Sequence, residues 1–178
     1  MIFESALWKD EILKIADKLE RRYNQKRWTK RSFFLLEKEI FLGLFSVRKL
    51  MESNKVTSLV KQQKIELAVY PAGDKPVTLF NQHKFPEPYN LYAGEKESLS
   101  YLDICNQFIH SSIFAPFTPT GENLVGIYMA SDRTKSKKLY YITLIKIVEM
   151  LRTVGNDYPS KLELHFNEKK KDFVVKSV

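Results

Sequence analysis

One cysteine, six glycines and three histidines leave room for few kinds of chemistry. The single Cys105 excludes an internal disulfide, and a lone thiol in a chain of 178 residues fits a reducing compartment. Its sequence neighbours carry no cation to lower its pKa, so Cys105 reads as a small buried hydrophobe rather than a nucleophile. So few glycines include no G-x-x-x-x-G-K loop to cradle a triphosphate and no G-x-S-x-G to present a serine. His83, His110 and His165 are far apart in segments of different kinds, so no zinc site is expected, nor any other cofactor. No apolar run is long enough to span a bilayer. The start, Met1 to Asp10, lacks the basic leader and apolar core of a signal peptide. The expected location is the cytoplasm, of prokaryotic or viral origin, with no membrane partner.

What is present is ordinary in bulk and specific in pattern. Apolar residues make up 44% of the chain and aromatics 13%, enough for one domain over 1–178 with a core filled by large rings. Trp8, Ile12, Ile15, Leu19 and Tyr23 recur at spacings of three and four, which predicts a helix over 5–24 with Ser5 as N-cap. A second helix is predicted over 29–53, starting near Thr29. Its apolar residues, Phe34, Phe41, Leu44 and Phe45 among them, cover most of the circumference, so it should be the most buried element. Ser100-Tyr-Leu-Asp103 reads as a capping box opening a third helix over 98–112, with Phe108, Ile109 and Ile113 in the core and Pro116 and Pro119 beyond it. A fourth helix should run from Thr143 to Val154.

Between and after the helices the pattern alternates. Residues 65–70 and 77–80 flank a Pro-Ala-Gly-Asp turn and predict one hairpin; 124–130 and 139–142 predict a second; 161–166 and 172–175 predict a third, turning at Lys169-Lys170-Lys171. The expected fold is α+β, a four-helix bundle decorated by short antiparallel hairpins.

The net charge is +8, and its densest part lies early. Arg21, Arg22, Lys26, Arg27, Lys30 and Arg31 fall around Tyr23 and Trp28. Clustered cations with interleaved rings can hold a phosphate backbone and stack bases, which makes this segment a candidate RNA contact. The plainer alternative is a solvated helix end and turn.

The most informative stretch is Asp103-Ile-Cys-Asn-Gln-Phe-Ile-His110. It sets Asn106 and His110 four residues apart, on one face of a helix. Either they are a hydrogen-bonded pair that fixes packing or they belong to a site. Arg48 falls on the apolar side of the second helix and needs a partner, which Asp103, Asn106 or His110 could supply across the helices; otherwise it snorkels at the helix rim. Long helices followed by a late helix with Asn-x-x-x-His resemble the HEPN superfamily of prokaryotic RNases, toxins and defence proteins. In that family an Arg precedes a His by four to six residues on a four-helix bundle. Here Asn106 and His110 match, and the Arg position is Cys105. The resemblance implies metal-independent RNA cleavage of the toxin or phage-defence kind, with His110 as acid or base, Arg48 as the substitute cation, RNA as partner and a homodimer across the site. With the motif Arg absent, the alternative it implies is a non-catalytic binding or assembly module with a protein partner.

Overall fold

A computed structural model describes residues 2–74, 76–78, 80–119, 123–169 and 171–177. The helix periodicity is borne out. Helix α1 is Ser5–Tyr23 and α2 is Lys30–Glu52. Thr29 caps α2 in a reciprocal box with Ser32, its hydroxyl accepting from Ser32 N at 3.2 Å while Ser32 Oγ accepts from Thr29 N at 2.8 Å. At α1 the N-cap is Glu4, without a side-chain bond, so Ser5 is already helical. A short helix α3, Ser58–Lys61, follows. Helix α4 is Tyr101–Ile109, capped by Ser100 whose Oγ accepts from Asp103 N, and α5 is Leu144–Gly155, capped by Thr143.

A four-helix bundle with inserted hairpins is overturned, although the α+β class stands. Five strands, β1 (Lys64–Pro71), β2 (Glu95–Ser100), β3 (Ser111–Phe117), β4 (Gly126–Ser131) and β5 (Lys138–Thr143), form one antiparallel sheet in the order β2-β1-β5-β4-β3. Only β4–β5 and the last pair, β6 (Leu162–Asn167) with β7 (Asp172–Ser177), are the hairpins expected. Lys170, one of the three lysines expected to turn the last hairpin, lies outside the described residues. Strand β1 pairs with β2 and β5 rather than with 77–80, of which 77, 78 and 80 form no strand and Leu79 lies outside the described residues. The helix expected over 98–112 is shortened at both ends by β2 and β3. Pro116 does not break β3, because β3 is an edge strand with one row of backbone groups unpaired.

The sheet separates two apolar layers. Leu67, Val69, Ile127, Met129, Tyr140 and Ile142 alternate onto the face covered by helices. There they meet Leu36, Ile40, Leu44, Ile104, Phe108, Ile147 and Leu151. The other face carries Ile113, Tyr128, Ala130 and Leu139 under Val77 and Tyr89. Helices α1 and α5 run antiparallel, tied by Arg152 to Asp17 at 3.1 Å and Glu20 at 2.7 Å. Helix α2 is less enclosed than its composition predicts. Leu44 is buried, but Phe34 and Phe45 are 58% and 42% exposed, and Phe41 is half-buried against Phe114. Neighbours cover only one stripe, Leu36, Ile40, Gly43, Leu44, Val47, Leu50 and Met51, since much of the core faces the sheet. Phe108, Ile113 and Cys105 are buried and Ile109 half-buried. No helix among the described residues is long and apolar enough to cross a membrane.

Tyr89 gives the fold an alkaline limit. It is 7% exposed, its hydroxyl donates to Lys135 O at 2.6 Å, and burial pushes its pKa from 10.0 to about 12. A group held protonated in this way stabilises the fold below its unfolded pKa and loses that contribution as pH rises through the folded one. The denaturation midpoint should therefore fall between pH 10 and 12, with about 2 kcal/mol at stake at this position. Tyr89→Phe should flatten that fall in a urea titration; an unchanged slope would remove Tyr89 as its source.

Candidate functional site: a polar cleft at the end of helix α4

Three backbone elements converge beside His110, the C-cap of α4. The His110 amide donates to Asn106 O, closing the last turn, and its carbonyl accepts from Asp132 N at 3.0 Å. The pairing of Ser111 with Ser131 in β3–β4 thus brings the β4–β5 turn against the helix end. Gln107 fixes that turn from α4: its Oε1 accepts from Ser131 N at 3.1 Å and from Thr134 Oγ1 at 2.9 Å. Asp132 is held by Lys135 at 2.6 Å and Ser112 at 3.3 Å, and the Lys135 ammonium keeps its carboxyl below the ordinary range. Arg133 follows, exposed, with no carboxylate partner among the described residues.

Between this turn, α4 and the end of α2 lies a cleft of about 550 Å³, lined by Arg48, Asp103, Asn106, Gln107 and His110 on one side and by Ser131–Thr134 on the other. The three site residues expected from the sequence, Arg48, Asn106 and His110, share it. Arg48 Nε donates to Glu52 Oε1 at 2.7 Å, and Glu52 also accepts from Lys49 at 3.1 Å, so one carboxylate serves two cations. Those cations hold the Glu52 carboxyl below its usual range. Asp103 accepts from Ser100 Oγ at 2.6 Å. The carboxylates at the rim therefore have partners in place, which leaves the Arg133 guanidinium and the Asn106 amide facing the space. Among the described residues no hydrogen bond joins Arg48 to His110. Beneath the cleft Cys105 is sealed in the core; burial pushes its thiol far up, against the opposing pull of Arg48, so it is no nucleophile. No group of three or more metal-ligating side chains occurs among the described residues.

The basic segment is not part of this cleft. Arg31 and Arg48 stand near opposite ends of α2, about 25 Å apart along its axis at 1.5 Å per residue. Two of its members belong to the fold: Arg22 forms a two-bonded pair with Glu39 at 2.5 and 3.0 Å, and Trp28 stacks on Phe33 at 4.9 Å with its indole donating to Gln25 O. Arg21, Lys26, Arg27, Lys30 and Arg31 are exposed.

Sequence reasoning missed Gln107, Ser131, Arg133 and Thr134. Extending the third helix to 112, with Pro116 and Pro119 to end it, hid the strand pairing that carries Arg133 to His110. No protein-family model matches the chain, and neither a curated protein nor a solved structure matches it significantly.

Proposed function

We propose that this chain acts on RNA, and that the cleft seats one phosphodiester. Arg133 and Arg48 would hold the phosphate oxygens, with the Asn106 amide and Thr134 hydroxyl as neutral donors. His110 at the rim would take the 2′-OH proton as that oxygen attacks phosphorus and the P–O5′ bond breaks, and would return it to the departing 5′-oxygen, acid–base work that imidazole is suited to. Metal-independent cleavage also needs a fixed cation where charge builds on the phosphorus, and the guanidinium fork supplies it. The observation that carries this reading is the convergence of His110 and Asn106 with two arginines from separate elements in one open cleft.

A second reading, phosphodiester binding without cleavage, is favoured by a specific feature. Among the described residues nothing hydrogen-bonds the His110 side chain, and Arg48 is drawn toward Glu52. One experiment separates the two. Purified protein is incubated with total RNA in EDTA beside His110→Ala. Cleavage that vanishes in the variant, with a melting temperature within about 1–2 °C of wild type, identifies His110 as the acid or base. Intact RNA retained on the protein in both samples identifies a binding module. RNA neither cut nor retained contradicts the RNA reading.

A further inference from the structure

The opposite end of the molecule carries an arrangement that the cleft does not use. On the sheet face away from the helices, Tyr141 of β5 lies directly across from Tyr128 of β4, with ring centroids 4.8 Å apart. Phe117, at the end of the edge strand β3, stands over both, 5.5 Å from Tyr128 and 6.0 Å from Tyr141 at 86°. Gly126 makes this possible: a Cβ there would sit 2.7 Å from two carbons of the Tyr141 ring, so the ring lies over bare backbone. Phe117 is 36% exposed and Tyr141 half-buried.

The basic connection between α1 and α2 lies toward this corner: α2 runs back along β3, with Arg48 beside His110 and Phe41 against Phe114, so its first turn heads for the Phe117 end. Helix α5 begins where β5 ends, and α1 runs antiparallel to α5, so α1 closes with Tyr23 beside the start of α5. Tyr23 is near enough to contribute, after burial, Tyr128 and Tyr70, to raising the Tyr141 hydroxyl to about 12. Arg27 and Arg31 follow, exposed, and no carboxylate among the described residues pairs with either. Unpaired cations at the same end of the fold as partly exposed rings complement a chain that carries both phosphates and unstacked bases. A duplex presents the phosphates but hides the base faces.

We propose that Phe117 and Tyr141 with the Arg27–Arg31 connection form a binding surface for single-stranded nucleic acid, bases stacking on the rings and phosphates held by the arginines. The surface shares no residue with the His110 cleft and stands or falls separately from it. The test is fluorescence anisotropy with labelled 15-residue oligo(U), oligo(dT) and a duplex of equal length, across a salt series. Wild type should bind both single strands more tightly than the duplex. Arg27→Gln with Arg31→Gln should reduce the slope of log affinity against log salt by about 1.4, two phosphates at 0.7 each for single strands. Phe117→Leu, which keeps an apolar filler but no stacking plane, should weaken binding about tenfold at an unchanged slope. Preference for RNA over DNA would identify a contact to the 2′-OH beyond this chemistry. Absence of binding, a duplex bound as tightly as single strands, or an unchanged salt slope in the exposed arginine variant would overturn the proposal. So would a folded Phe117→Leu protein of wild-type affinity.

Discussion

Phe108→Ala should lower the stability of the protein by about 3–5 kcal/mol, the usual cost of emptying a fully enclosed ring site. Phe108 has no exposed surface, lies in α4 between α2 and the sheet, and meets Phe114 edge-on at 6.2 Å. A cavity there would be walled by a helix and a sheet, neither of which can shift without breaking its own hydrogen bonds. Phe41→Ala provides the contrast. Its ring is half-buried and part of its surface is already in water, so the loss should be closer to about 1–2 kcal/mol. Urea denaturation of both variants checks the order. A larger loss at Phe41 would mean that α2, rather than the α4–sheet contact, organises the core.

Arg48→Gln combined with Arg133→Gln should weaken binding of an RNA dinucleotide, too short to engage the Phe117–Arg31 surface, by at least tenfold while leaving the melting temperature nearly unchanged. Each guanidinium bonded to a phosphate contributes about 1.5–3 kcal/mol as a charge-assisted hydrogen bond. Neither side chain is part of the core: Arg48 is ion-paired at the surface and Arg133 stands on an exposed turn, so their stability terms are small. Filter binding at constant salt reads the affinity and calorimetry reads the fold. A double variant that binds like wild type would remove both arginines from the site.

The helices and their caps were legible because their signals are local. Thr29, Ser100 and Thr143 each precede a 3.6-residue pattern, and each is an N-cap. Beyond the β4–β5 hairpin the sheet was not legible, because its other pairings are distant in sequence and β1 and β3 each carry a proline. Residues 95–100, Glu-Lys-Glu-Ser-Leu-Ser, have too few apolar residues to announce a strand. They can be one because β2 lies at the edge of the sheet with much of its surface in water. The same limit applied to the cleft. Arg48, Asn106 and His110 could be singled out by helical spacing, whereas Arg133 reaches them only through the β3–β4 pairing. The burial expected of Phe34 and Phe45 failed for a related reason: an apolar circumference shows that a helix could be surrounded, and the topology decides how much of it is.

The central claim is that the cleft beside His110 is where a phosphodiester sits. Its most direct test is a titration of isotope-labelled protein with uridine 3′-monophosphate, followed by nuclear magnetic resonance. Saturable shifts of the His110 ring, the Asn106 side-chain amide and the Arg133 guanidinium are expected. Shifts confined to residues 21–31, or none at millimolar ligand, would contradict it.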